Sequence, residues 1–322
     1  MSFSQLPQSG NSTACNFIIR LGMAHYNFDK DLQRYAHFHT PLNTFVLALA
    51  QKPMGLLYHL EHSNESLKVS MRKVGRVRVL IYEPNTATSA CMLFFHGGGF
   101  VFNAASHHFS LARKFVVELG MKCVFVDYRL APKYKFPCAV EDCFEVYKWV
   151  VDNASELGID SKKIVVCGDS AGGNLAAVTS LKARDEGLQM PVAQMLLYPV
   201  IDHKMQTQSY VKYKDTPMCN SEDMAKYYKY YLPAGVSSPS PYLSPIEAEN
   251  LKHLPSAHIE VAQYDCLHDE GVSFAKALRD AEVDVELQEV CGAMHGYDIA
   301  QNSTFIQKLM AQRCDFLRKY TI

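Results

Sequence analysis

The sequence carries almost no excess of either charge: 32 Lys and Arg stand against 33 Asp and Glu, for a formal net charge of -1. Without a global field there is nothing to draw in a polyanion, which argues against a nucleic-acid partner or an acidic membrane surface. Met1 to Gly10 shows no basic stretch leading into an apolar one, and the apolar run at Phe17 to Met23 is short and interrupted. Neither an export signal nor a stable membrane anchor is expected. Internal repeats, low-complexity tracts and Gly/Ser/Pro-rich linkers are also missing, so two independent domains are not indicated. Paired Cys-x-x-Cys motifs are absent, and the spacing of Cys138 and Cys143 is unlike a zinc knuckle, so no metal site is expected. Among the ten cysteines, Cys91, Cys123 and Cys167 sit inside apolar runs, where a reduced cysteine acts as a small hydrophobe. A reducing, cytoplasmic setting is the expectation.

What is present is a globular composition, 48% hydrophobic and 20% charged over 322 residues, enough to bury a sheet between two helix layers. From Arg76 onward, short apolar runs alternate with longer helical patterns. Strands are predicted at Val77 to Tyr82, Cys91 to His96, Cys123 to Asp127, Ile164 to Cys167, Met195 to Tyr198, His258 to Ala262 and Val285 to Val290. Between them, Phe109, Ala112, Phe115, Val116 and Leu119 recur at helical spacing, as do Val140, Cys143, Phe144, Tyr147, Val150 and Val151. Such alternation predicts an α/β fold with a mostly parallel sheet covered on both faces. Residues 1–70 lack strand patterning and read as helical, while 202–240 is too long for an ordinary connection. Together they are expected to form a helical cap on a catalytic domain spanning 71–322.

The chemistry-bearing motif is Gly168-Asp169-Ser170-Ala171-Gly172, set between a predicted strand and a helix-forming run. That context is the one a nucleophile elbow requires. A strained serine needs neighbours without bulk, and a helix N-terminus lets the Ala171 amide meet developing negative charge. A second motif, His96-Gly97-Gly98-Gly99-Phe100, places flexible backbone amides at the carboxyl edge of the sheet. Its spacing is not Gly-x-Gly-x-x-Gly and no Walker lysine follows, so a nucleotide loop is disfavoured. Downstream, Asp265 follows one predicted strand and His295 the last, giving the order Ser, Asp, His that this type of site uses. Asp269 is an alternative acid, although it opens a predicted helix, Gly271 to Ala281, where a carboxylate is favourable simply as an N-terminal charge. Asp127, Asp169 and Asp202 read as turn or helix-cap residues. Tyr227, Tyr228, Tyr230 and Tyr231 recur on a predicted helix, where packing is favoured over a role as acyl-pocket wall.

From about Val77 to its end, the chain resembles the hormone-sensitive lipase family of α/β-hydrolases, which includes bacterial acetyl esterases and arylacetamide deacetylase-like enzymes. The resemblance rests on the two glycine motifs, on Asp127-Tyr128-Arg129-Leu130-Ala131-Pro132 and on His295-Gly296. It implies an α/β-hydrolase fold, a Ser170, Asp265, His295 triad, oxyanion amides from Gly98, Gly99 and Ala171, and a structural loop at Asp127 to Pro132. The implied activity is metal- and cofactor-free hydrolysis of small or medium acyl esters. Where the family usually has Asp-Pro-Leu-x-Asp-Glu, this chain reads Asp265-Cys266-Leu267-His268-Asp269-Glu270; losing the proline removes a φ restraint without removing the carboxylate. Amide hydrolysis on the same triad is the nearer alternative. A non-catalytic binding protein is the more distant one, since a plant hormone receptor shares this architecture but is expected to have lost a triad member. Oligomeric state is not legible, and a homo-oligomer is compatible with the sequence.

Overall fold

The structure, a computed structural model, describes residues 26–39, 44–234 and 240–321. Parts of the expected N-terminal cap segment, residues 1–25 and 40–43, therefore lie outside the described residues, as do 235–239 of the insertion.

Eight strands form one sheet: β1 Leu67–Val74, β2 Val77–Pro84, β3 Cys91–Phe95, β4 Lys122–Asp127, β5 Ile164–Asp169, β6 Ala193–Leu197, β7 Ser256–Tyr264 and β8 Val285–Met294. Their order is β1-β2-β4-β3-β5-β6-β7-β8. The first three pair antiparallel, and every pairing from β4 to β8 is parallel. All seven predicted strands are present, and the central ones, β3, β5 and β6, are buried on both faces. That double burial is why they read as unbroken apolar runs rather than alternating ones.

β1 corrects the sequence reading, because the sheet begins inside the segment 1–70 expected to be helical. Its burial runs from Leu67 through an exposed Met71, Arg72 and Lys73 to Val74, the pattern of a charged edge strand. Charges on an edge suppress unwanted pairing and also erase the apolar alternation that would reveal the strand. Its pairing with β2 closes through Gly75 and Arg76, with Gly75 at φ +54°.

Among the described residues, eight α-helices accompany the sheet: α1 Thr44–Leu60, α2 Ser106–Leu119, α3 Cys138–Asp152, α4 Ala171–Asp185, α5 Gln208–Lys212, α6 Ser221–Tyr231, α7 His268–Asp280 and α8 Thr304–Thr321. Two core layers result. One joins α3, α4 and α7 to one face through residues such as Val140, Leu175, Phe274 and Leu93. The other joins α2 and α8 to the opposite face through Phe109, Phe115, Leu317 and Phe94. Within the expected cap segment, α1 also packs on the sheet, its Tyr58 ring edge-on to Phe109 and Phe125.

At the centre, α4 meets the sheet with no side chain between them. A Cβ on Gly172 would fall well inside contact distance of the Phe95 carbonyl oxygen, and one on Gly168 would strike the backbone of Gly172. Backbone cannot step aside as a flexible side chain can. Gly172→Ala is therefore expected to destabilise the fold by about 1–3 kcal/mol, the usual cost of overpacking. Urea denaturation measures it, and an unchanged midpoint would contradict this packing.

Candidate active site

Ser170 lies between the end of β5 and the start of α4, with φ 54° and ψ -118°. A non-glycine residue pays for such a backbone, and it persists only where its surroundings fix it. Here the Ser170 N–H donates to Leu197 O at 2.8 Å, while its carbonyl accepts from Val200 at 3.0 Å and Asn174 at 3.1 Å. Asn174 adds a clamp, its side-chain amide donating to the carbonyls of Val200 and Leu243.

The turn aims the Ser170 hydroxyl at His295, the residue after β8, whose Nε2 stands 2.9 Å from Oγ. Its Nδ1 stands 2.7 Å from Oδ2 of Asp265, the residue after β7. A carboxylate can only accept, so Nδ1 carries a proton, and in the neutral form of the ring the Nε2 lone pair faces the serine hydroxyl. The other Asp265 oxygen accepts the Leu267 N–H at 3.0 Å, and all three residues are buried. Burial alone would disfavour imidazolium at His295, but the adjoining Asp265 charge and hydrogen bond outweigh it and push the ring up to about 9. Asp269 lies elsewhere. Its Oδ2 accepts the Ser209 N–H at 2.8 Å and so ties α7 to α5, while Oδ1 meets His268.

The glycine loop is fixed to the elbow by Asp169, which the sequence suggested only as a turn or cap. Its Oδ1 accepts the Gly97 N–H at 2.9 Å and its Oδ2 meets His108 Nε2 at 3.2 Å. Burial would raise this carboxyl, but His108 and the Gly97 amide hold it down at about 2. The Gly97 amide is thus committed. Among the described residues, nothing accepts from the amides of Gly98, Gly99 or Ala171. Gly98 at φ +115° and Gly99 at φ +59° both need the freedom of glycine, and a Cβ on Gly98 would meet the Phe102 carbonyl. The Asp127 to Pro132 loop braces this motif: Tyr128 donates to His96 O at 2.7 Å, and Ala131 N–H to Phe100 O at 2.9 Å. Arg129 is itself anchored on Asp142.

His107, His108 and Asp169 place ligand-type atoms within 4.8 Å of one another. However, His108 Nδ1 accepts the Ala105 N–H at 2.9 Å, which leaves the ring proton on Nε2, facing Asp169. His108 and Asp169 are thus engaged with each other and with backbone amides, and a cation would have to displace that proton.

Sequence reasoning missed Arg313, which is fully buried on α8. Its guanidinium bonds both oxygens of Glu260 at 2.8 and 2.7 Å and Asp298 Oδ1 at 2.7 Å. Asp298 Oδ2 accepts from the Tyr198 hydroxyl at 2.9 Å, and the Tyr198 ring stands edge-on to His295 at 5.1 Å. The Tyr297 hydroxyl donates to Glu260. The short segment carrying His295 is thereby clamped to β7 and α8. The available signal was an arginine in step with Ile306, Leu309, Met310 and Leu317, on the apolar face of a helix.

Part of the 202–240 insertion reaches the same place. The Tyr227 ring lies where a Gly99 Cβ would stand, Tyr231 stacks on Phe100 at 4.0 Å, and Met218 lies against Gly296. Tyr227, Tyr228 and Tyr231 are buried, with Tyr230 partly so; the expected packing is onto the glycine loop for Tyr227 and Tyr231, while the Tyr228 ring stands edge-on to His203.

A family model described as alpha/beta hydrolase fold matches residues 92–299, well over half of the chain. The chain belongs to the alpha/beta hydrolase family. The family's esterases include esterase LipI of Mycobacterium tuberculosis, 37% identical over 217 residues that cover 66% of this chain and 67% of that one. Among solved structures, an esterase of Pyrobaculum calidifontis aligns with a TM-score of 0.81 at 32% identity, covering 91% of this chain and 98% of its own. A bacterial heroin esterase aligns at 0.83 and 29%, covering 92% and 98%. These findings bear out the resemblance and the fold read from the sequence. Among the described residues, no helix of this hydrolase is long and apolar enough to cross a membrane.

The raised His295 value fixes the sign of its linkage to stability. Protonation at His295 favours the folded chain, and that contribution is complete below the unfolded value of ~6.5 and lost as the pH rises through about 9. An NMR titration of the His295 ring is expected to show a midpoint near 9 that drops in Asp265→Asn. A midpoint at or below the ordinary histidine value would contradict the Asp265 contact.

Proposed function

We propose that this hydrolase is a serine carboxylesterase acting through an acyl-enzyme, with Ser170 as nucleophile, His295 as base and Asp265 as the acid of the triad. The unbroken hydrogen-bonded chain from Ser170 Oγ through His295 to Asp265 carries the reading. Ser170 attacks the ester carbonyl as its proton passes to His295 Nε2, and the amides of Gly98, Gly99 and Ala171 receive the oxyanion. His295 then protonates the departing alcohol oxygen as the carbon–oxygen bond breaks. Water, deprotonated by the same nitrogen, attacks the acyl-enzyme, and the released carboxylic acid leaves Ser170 with its proton restored. Asp265 keeps the imidazole in the required tautomer and balances its transient charge.

The names of the relatives support an ester as substrate, and the family resemblance favours short to medium acyl chains. α6 and the segment around Met218 serve as the cap, because they touch both the glycine loop and the His295 loop. α1, whose Gln51 reaches the Val101 carbonyl, completes that cap in this reading, while β1 belongs to the sheet. The nine cysteines among the described residues are free and most are buried, which suits a reducing compartment such as the cytoplasm.

Turnover of p-nitrophenyl esters from acetate to laurate tests the proposal. Ser170→Ala is expected to abolish it while the fold stays intact. Asp265→Asn should cost on the order of 10⁴ in turnover through the wrong histidine tautomer, and Asp269→Asn far less. Substantial turnover by folded Ser170→Ala would end the serine reading, and the reverse order of the two Asp variants would move the acid to Asp269. Parallel anilide substrates, cleaved faster than the esters, would favour an amidase.

A further inference from the structure

A cleft of about 690 Å³ opens between the β1–β2 hairpin, α1 and the loop that follows β4. Neither Ser170, His295 and Asp265 nor the proposed oxyanion amides line it. Six cations do: Arg72, Lys73, Arg76, Arg78, Arg129 and Lys133, against the single carboxylate of Asp127. In a chain whose two charge signs nearly balance, this is a strong local segregation.

Gathering like charges costs energy, and the hairpin makes the cost explicit. Lys73 and Arg78 are direct partners across β1 and β2, where like charges repel. Three of the cations are offset: Arg78 by Asp127 at 2.5 Å, Arg129 by Asp142 at 2.6 Å and Arg72 by Glu156 at 3.5 Å. Lys73, Arg76 and Lys133 are exposed, and among the described residues no carboxylate stands within ion-pair distance of them. A concave surface lined by one sign focuses its field inward, so the unmatched charge favours an anion inside the cleft.

The remaining lining adds shape. Met71, Leu130 and Tyr134 supply apolar surface, and the Tyr134 ring has Arg129 at 5.3 Å and Lys133 at 5.0 Å from its centre. The inner wall is held firmly. Gln51 donates to the carbonyls of Val101 at 2.7 Å and Ala131 at 3.0 Å, and Asn103 donates to Gln51 O at 2.6 Å. The volume falls in the ordinary range for small-molecule sites, about 300–1,000 Å³. From these features we propose that the cleft binds a phosphorylated small molecule of nucleotide size. Its multiply charged phosphate meets Lys73, Arg76 and Lys133, and its flat body lies on Tyr134. Three unmatched cations call for more negative charge than one carboxylate supplies, whereas a single phosphate monoester already carries about -1.5 to -2 at neutral pH. The site goes beyond hydrolysis and uses none of the residues proposed for it.

Isothermal titration of the full chain with ATP, in magnesium-free buffer of low ionic strength, tests the site. The expected result is saturable one-to-one binding that weakens with added salt, and no measurable binding of adenosine. Lys73→Glu, Arg76→Glu and Lys133→Glu together should weaken ATP by on the order of tenfold or more. Because all three are exposed and none belongs to the triad or the glycine loop, circular dichroism and ester turnover should stay at wild-type levels. A control reversing Lys276, Lys308 and Lys319 to Glu changes net charge equally and should leave ATP binding nearly intact. Absence of saturable binding, an equal loss in the control, or adenosine binding as tightly as ATP would each overturn the proposal.

Discussion

The candidate site depends first on an absence of volume, the missing side chains of Gly168 and Gly172 where α4 comes down on Phe95. Only that approach lets the chain reverse from strand to helix within one residue, which forces Ser170 into its positive φ. The hydrogen bond that Ser170 donates to Leu197 and those it accepts from Val200 and Asn174 then hold the strained residue in place. Because Phe95 leads directly into His96 and Gly97, the same contact brings the glycine loop beside the elbow, where Asp169 binds Gly97. Ser170 and the glycine loop therefore form one rigid unit, so the proposed charge stabilisation would need little rearrangement.

The histidine arm is organised by buried charge instead. Placing Arg313 with Glu260 and Asp298 in a fully buried cluster costs desolvation that the mutual attraction offsets only with good geometry, so such a cluster is weak evidence for net stability. Its effect is directional. It restrains Tyr198, Tyr297 and Asp298 around a histidine carried on a short segment that follows the β8 strand. Asp265 performs the equivalent restraint within the site by fixing which ring nitrogen bears the proton. The two arms meet at one bond, between Ser170 Oγ and His295 Nε2.

Much of this was legible in the sequence, because the constraints are local. The elbow must have glycines on both sides of its serine, the glycine loop must close a strand, and the histidine must follow the last strand. All seven predicted strands were recoverable, the central β3, β5 and β6 because parallel strands buried on both faces are continuously apolar. β1 was not, because a charged edge strand has neither that run nor a clean alternation. Asp169 and Arg313 were hidden for a related reason: their partners, Gly97, His108, Glu260 and Asp298, are remote in sequence and meet only in three dimensions. The choice between Asp265 and Asp269 rested on closeness to the strand end. The observed contacts follow that logic, with Asp269 occupied at α5.

The central claim is that the geometry around Ser170 makes its hydroxyl a nucleophile that becomes acylated. Mass spectrometry of the wild-type chain, acid-quenched during turnover of p-nitrophenyl acetate and digested, tests this most directly. The account predicts an acetyl group on the peptide containing Ser170, formed in step with a burst of nitrophenol and absent when Asp265 is changed to Asn and quenched at the same early time. Rapid ester turnover with no acyl group on Ser170 at any quench time, or with the acyl group on another residue, would contradict it.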